Sequence, residues 1–390
     1  MLKHPLEIIL ALGAIEAAVL WAAASKRFAR YFQFLPSVFW IYFLPMIVST
    51  AGLIDPQAEV YSVITTNLLP ASLILLLLSS DIKAILRLGR PALIMMFAGS
   101  LGIMLGMPLV FLLFKPWVGA NVWSGFGALS ASWIGGSANM IAVKEAIGTP
   151  EKVFTPMVIV DTIVPYLWMG ILVSSVRFQE RYDRWNRADK TILADLEKCR
   201  ISAQTTRVKR LTVWSVAGIL AIAFIGGVAA KFLAVQLPQI KDMISTYAWT
   251  IILVSLFGVS LSLTPARQLE RHGASRIGYY LLYFVLTAIG ARANFSHFSS
   301  TMLLILAGCV VILVHAGVLV AVGRMVKAPL FLIATASQAN IGGVASAPVV
   351  AAVYQPGLAS VGLLLAILGN IVGTYFGILI SRICYGVSLW

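Results

Sequence analysis

Trp133-Ile134-Gly135-Gly136-Ser137-Ala138-Asn139 and Asn340-Ile341-Gly342-Gly343-Val344-Ala345-Ser346 are the two stretches on which the fold turns. Each lies in the middle of a segment apolar enough to cross a bilayer, residues 122–148 and 328–353, and interrupts it with paired glycines and small polar residues. Glycine pairs weaken a helix because they give up the most backbone freedom and offer no packing side chain. Each segment therefore reads as a broken crossing or as a hairpin that dips into the membrane and returns.

The two breaks are related. Ile134, Gly135, Gly136 and Ala138 recur as Ile341, Gly342, Gly343 and Ala345 at a constant offset of 207, with Asn139 facing Ser346. Further along, Ile163-Val164 recur as Ile371-Val372 and Gly170-Ile171-Leu172 as Gly377-Ile378-Leu379. One such triplet is unremarkable in an apolar chain. Their shared order and nearly shared spacing point to internal duplication.

The rest of the chain fits a membrane setting. Of 390 residues, 60% are hydrophobic and 11% charged, against roughly 25% charged in an ordinary soluble domain. Spans of the length that a bilayer requires run Leu6–Ala24, Leu35–Ile54, Val60–Ser80, Pro91–Phe114, Val153–Val176, Leu211–Ala230, Tyr247–Thr264, Thr301–Gly323 and Leu358–Ile380, with Ile277–Ala291 short and marginal. Glu7 and Glu16 interrupt the first span, which favours a retained helix over a cleaved signal. The net charge of +14 does not suggest nucleic acid, because Lys and Arg collect in cytoplasmic loops of membrane proteins. With both broken segments re-entrant and the amino terminus outside, most of the 29 cations fall inside, ten of them between Arg177 and Arg210. If the first broken segment crosses fully, that basic stretch moves outside and the bias disappears.

The expectation is an all-α polytopic membrane protein of two inverted repeats, each with five transmembrane helices and a re-entrant or broken hairpin. The N-terminal repeat covers 1–176, a basic cytoplasmic linker 177–210 and the C-terminal repeat 211–390. The linker reads as a short solvated helix followed by coil, with little apolar character beyond Ile192, Leu193 and Leu196. Cys199, Cys309 and Cys384 are too few and too far apart for a metal or disulfide framework. Neither a metal-ligand cluster nor a nucleophile or phosphate-loop motif occurs, so catalysis is not expected.

Irregular backbone at membrane depth is tolerated only where protein buries it or where it lines a polar cavity. Two facing breaks would supply N–H groups and positive helix ends for an anionic solute, and helix-ending carbonyls for a cation. The candidate solute ligands are Gly135, Gly136, Ser137, Ala138, Asn139, Gln338, Asn340, Gly342, Gly343 and Ser346. Asp161 stands deep in an apolar span, where a carboxylate is costly and by default functional. It is a candidate for binding sodium or a proton, with Thr162, Asn370 and Thr374 completing the oxygen set. His315, a lone mid-span ring, reads as a satisfied core histidine.

The runs Gly135–Ala146, Val160-Asp161-Thr162, Trp168-Met169-Gly170 and Ser337–Gly343 together resemble the YjcL-type bacterial membrane proteins, a family defined by a domain of unknown function. More distantly, the inverted five-helix halves are similar to the sodium–glutamate symporters and 2-hydroxycarboxylate transporters. That resemblance implies a homodimer and an elevator-like transport domain. The span Leu358–Ile380 lacks the arginines of citrate carriers, which argues against a multiply charged anion. The expected function is a sodium- or proton-coupled secondary transporter of a small anionic or zwitterionic solute, without another cofactor, in the bacterial inner membrane. The alternatives are a sodium–proton antiporter with no organic substrate, and a non-transporting sensor or scaffold whose linker engages a partner.

Overall fold

The structure, a computed structural model, describes residues 1–28, 31–32, 37–189, 191–193, 195–196, 212–239, 245–293, 301–355 and 357–390. Among these residues there are helices and turns but no named strand. This is the outcome that apolar runs of this length require, because a helix satisfies its backbone internally and needs no water to do so.

The principal helices are α1 (Pro5–Ala24), α2 (Ser37–Thr50), α3 (Val60–Leu78), α4 (Gly89–Val118), α5 (Trp123–Gly135), α6 (Ser137–Ile147) and α7 (Glu151–Ser174) in the first half. The second half supplies α8 (Val213–Gln236), α9 (Thr246–Ser262), α10 (Ala274–Arg292), α11 (Thr301–Met325), α12 (Leu330–Ile341), α13 (Gly343–Tyr354) and α14 (Ala359–Ser388). Among the described residues, eight helices are long and apolar enough to cross a membrane. The count is nine if α9 and the 3-10 turn Pro265–His272, which meet at 92°, form one span. The marginal Ile277–Ala291 belongs to a full helix, α10. Within the expected span Leu35–Ile54 the described helix is the 14-residue α2.

The helices sort into two compact units that cut across the linear order. The first unit holds α1, α2, α3, the start of α7 through Thr162, and α8, α9 and α10; the second holds α4, α5, α6, the rest of α7, and α11 through α14. Each unit therefore draws helices from both halves of the sequence.

In the first unit α3 packs against α8, α9 and α10, with Ala71, Leu75 and Leu78 buried beside Ile219, Ala223 and Ala274. The Tyr42 and Thr155 hydroxyls are bonded at 2.7 Å. Arg292 Nε lies 3.6 Å from Glu151 Oε1.

In the second unit α14 runs beside α4, α5, α6, α12 and α13. Its glycines let main chains meet directly. A methyl group built on Gly373 would stand 2.7 Å from the Gly135 Cα and 2.9 Å from its nitrogen. One on Gly369 would overlap the Ile134 carbonyl, and one on Gly377 would lie 3.1 Å from the Ala131 Cα. Small residues are what allow helices to approach this closely in lipid, where the hydrophobic effect does not drive association.

The described part of the linker begins with the short solvated helix expected, but the residues after it do not stay in solvent. After a short helix, Gln179–Asn186, Ile192 and Leu196 are buried in the core of the second unit alongside Phe331, Leu332 and Tyr354. The three apolar residues that stood out in a charged stretch are the ones that dock. Asp183 Oδ1 accepts the Leu330 N–H at 2.8 Å, capping α12, whose own N-cap position is occupied by Pro329. Asn186 donates to the carbonyls of Gly323 and Ala328, and the Arg324 guanidinium lies 4.5 Å from the centre of the Trp185 ring. The expected coil over 197–211 lies outside the described residues.

Candidate functional site

Both breaks are real interruptions, and both lie in the second unit. The backbone explains the glycine pairs. Gly136 has φ +86° and Gly343 φ +60°, a region costly for residues with a Cβ. These are the second glycines of the two pairs, equivalent at the offset of 207. The first glycines are needed for space instead: a methyl on Gly135 would overlap the Asn139 amide and come within 2.6 Å of the Gly369 carbonyl, and one on Gly342 would overlap the side chains of Ser346 and Gln338. Asn139 and Ser346 are themselves equivalent under that offset.

At the first break the Gly136 N–H bonds the Ser132 carbonyl, and Asn139 Nδ2 reaches back to the Gly135 carbonyl at 2.6 Å. Asn139 Oδ1 accepts from the Thr374 hydroxyl. Both ends of the Asn139 amide are thereby committed, which makes this residue a staple between α5, α6 and α14. Ser137 and Ala138 begin α6 half-buried, with the first N–H groups of the helix, which have no intrahelical acceptor. Asn370 Oδ1 faces Gly136, 3.3 Å from where a Cβ would stand.

At the second break the Gly342 N–H bonds the Gln338 carbonyl at 2.9 Å. Gln338 Nε2 donates to Ser346 Oγ at 2.7 Å. Eight residues along a straight helix span about 12 Å, so this bond requires the chain to turn sharply at the glycines. The tips of the two breaks come together: a Cβ on Gly343 would be 3.9 Å from the Gly136 Cα.

Asn340 points away from the tip, toward α4. With its amide oriented to satisfy both groups, Nδ2 donates to the Met96 and Ala336 carbonyls and Oδ1 accepts from Ser100 Oγ at 3.0 Å. Beside it runs a chain that sequence reading did not connect. Trp168 Nε1 donates to Ser337 Oγ at 2.8 Å, Ser337 Oγ lies 2.9 Å from His315 Nε2, and His315 Nδ1 lies 2.9 Å from the Gly99 carbonyl. A carbonyl only accepts, so Nδ1 carries the proton and Nε2 accepts from Ser337. His315 is the satisfied core histidine expected of it. Gly99 makes room for it, since a methyl there would overlap Asn340 and stand 3.0 Å from the imidazole.

The sequence candidates thus divide. Gly135, Gly136, Ser137, Ala138, Asn139, Gln338, Gly342, Gly343, Ser346, Asn370 and Thr374 gather around the breaks, while Asn340 braces α12 against α4. Asp161 and Thr162 stand on the portion of α7 that belongs to the first unit. Asp161 is half-buried, and the Thr162 hydroxyl donates to the Val158 carbonyl at 2.8 Å.

Comparison with known proteins accords with a membrane protein. The family profile described as "Protein of unknown function (DUF819)" matches residues 9–386. The chain belongs to the DUF819 family. It is similar to "Uncharacterized membrane protein YjcL" of Bacillus subtilis (strain 168), with 26% identity over 379 residues, covering 92% of this chain and 93% of that protein. This DUF819 member is accordingly a polytopic integral membrane protein, as its helices and its relative both indicate.

Proposed function

We propose that this DUF819 protein is a secondary active transporter that carries a small anionic or zwitterionic solute at the meeting point of its two broken helices, working by alternating access. The observation that carries the reading is the approach of Gly136 to Gly343. It sets the starts of α6 and α13 side by side, and a helix start presents unpaired N–H groups and the positive end of its dipole. A carboxylate suits such a place. Both breaks lying in one compact unit supports a carrier body distinct from a scaffold, within an inverted-repeat, homodimeric arrangement in the bacterial inner membrane. Sodium or a proton drives the cycle. Asp161 remains the titratable candidate for the ion, and Thr162, Asn370 and Thr374 are the neutral ones.

Uptake into proteoliposomes tests this directly. Amino acids and monocarboxylates are offered under an imposed sodium or proton gradient, and at least one should accumulate above the gradient-free level. Gly136→Val, which puts a β-branched residue at φ +86°, should abolish accumulation. Absence of accumulation for the whole panel by folded protein refutes the transporter reading. Cation exchange with no solute present would instead establish the antiporter.

A further inference from the structure

Two oxygens on α12 have no counterpart. Gln338 Oε1 and Thr335 Oγ1 have no hydrogen-bond partner among the described residues, and the two residues are 1% and 0% exposed. Three residues apart, they share one face of the helix. Buried polar atoms are nearly always paired, so two orphans on one face call for an explanation. The rest of their neighbourhood is committed: Ser337 to Trp168 and His315, Asn340 to α4, and the Gln338 amide nitrogen to Ser346.

What is left uncommitted on this turn of α12 is therefore oxygen. Gln338 stands in the last turn of the helix, which ends at Ile341, where the last carbonyls lack intrahelical donors and carry the negative end of the dipole. The Gln338 amide lies against Gly342, where only the absence of a side chain leaves it room. An amide oxygen, a hydroxyl and helix-ending carbonyls form a neutral, oxygen-only donor set. Divalent cations are usually held with carboxylates, and none of these donors is one. Proton binding is excluded at this site as well, because neither an amide nor a hydroxyl ionises near neutral pH.

We infer that Gln338 Oε1 and Thr335 Oγ1 are ligands of a monovalent alkali cation bound at the end of α12. This deepens the transporter reading by choosing an alkali cation over a proton as the coupling ion. It depends on that reading for the coupling but not for the binding.

The test is thermal unfolding of the purified full chain in NaCl, KCl or choline chloride at equal ionic strength, together with equilibrium binding of radioactive sodium, all without solute. Ligand binding to the native state raises the unfolding temperature. The wild type should be stabilised by sodium over choline in a saturable way. Thr335→Val should raise the half-saturating sodium concentration about tenfold, comparable to losing one contact to a charged partner. Gln338→Leu should abolish the response. Gln338→Glu, which keeps the oxygen and the shape, covers the case in which the leucine variant fails to fold; it should retain sodium binding and make it pH-dependent. Ser337→Ala should lower stability yet keep the sodium shift. Equal unfolding temperatures of the wild type in sodium and choline would overturn the site, as would an undiminished response in Gln338→Leu. Sodium binding in a protein that accumulates no solute would refute the transporter while leaving the site standing.

Discussion

A single methyl group at Gly373 provides a severe check on the packing. In Gly373→Ala the new Cβ meets the Gly135 Cα at 2.7 Å and the Gly135 nitrogen at 2.9 Å, where carbon atoms ordinarily sit about 3.5–4.0 Å apart. Both neighbours are backbone and cannot swing aside, so α5 and α14 must separate by roughly 1 Å, a gap that forfeits a quarter to a half of each contact's attraction. Gly369 and Gly377 share the seam and would lose contact too. Overpacking of this kind costs about 1–3 kcal/mol, with the upper end expected here because the displaced atoms are main chain. For a body of about 200 residues that range corresponds to a fall of roughly 2–12 °C in unfolding temperature. Gly170→Ala is the matched control. Nothing lies within 4 Å of its added methyl, and the gain in helix propensity should stabilise by up to about 1 kcal/mol. Differential scanning fluorimetry of both variants in one detergent would decide the matter. A Gly373→Ala protein as stable as the wild type would refute the direct main-chain contact between α5 and α14.

Three further outcomes follow from the hydrogen-bond geometry. In a double-mutant cycle on Asn139→Ala and Thr374→Val, unfolding free energies should be non-additive by at least about 0.5 kcal/mol, since the two residues share one bond. Ser337→Ala should destabilise by about 1–3 kcal/mol, leaving the Trp168 indole and His315 Nε2 without their partner, and a thermal melt equal to the wild type would refute the bonded chain. Asp183→Ala should cost about 0.5–2 kcal/mol through loss of the cap on α12. Asp183→Asn should recover most of it, as measured by the same melts.

The sequence carried the breaks because the forces that set them are local. A glycine pair within an apolar run has few explanations, and the positions related by the offset of 207, Gly136 and Gly343, turn out to share a left-handed backbone. The related pair Asn139 and Ser346 cover Gly135 and Gly342, which only the structure reveals. What sequence could not carry was choice of partner. Nothing near Ser337 indicates that Trp168 and His315 bracket it, and nothing near Asn340 reveals that it turns to α4 rather than to the tip. Gln338 is picked out by the sequence but Thr335 is not; it is distinguished only by the absence of a partner for its hydroxyl. Linker docking was only half legible: Ile192 and Leu196 stand out in a charged stretch, but nothing in the sequence names the core that receives them. The sorting into units depends on contacts between distant segments and had no linear signature.

The glycine seam also sets a schedule for biogenesis. Gly135 leaves the ribosome about 240 residues before the Gly373 that will lie against it. At synthesis rates of roughly 5–20 residues per second, α5 waits on the order of 10–50 s for its mate. During that interval its bare main-chain face and its broken end must be sheltered by the insertion machinery or by the earlier helices. The nascent protein is thus most vulnerable between the completion of its first half and the arrival of its last helix.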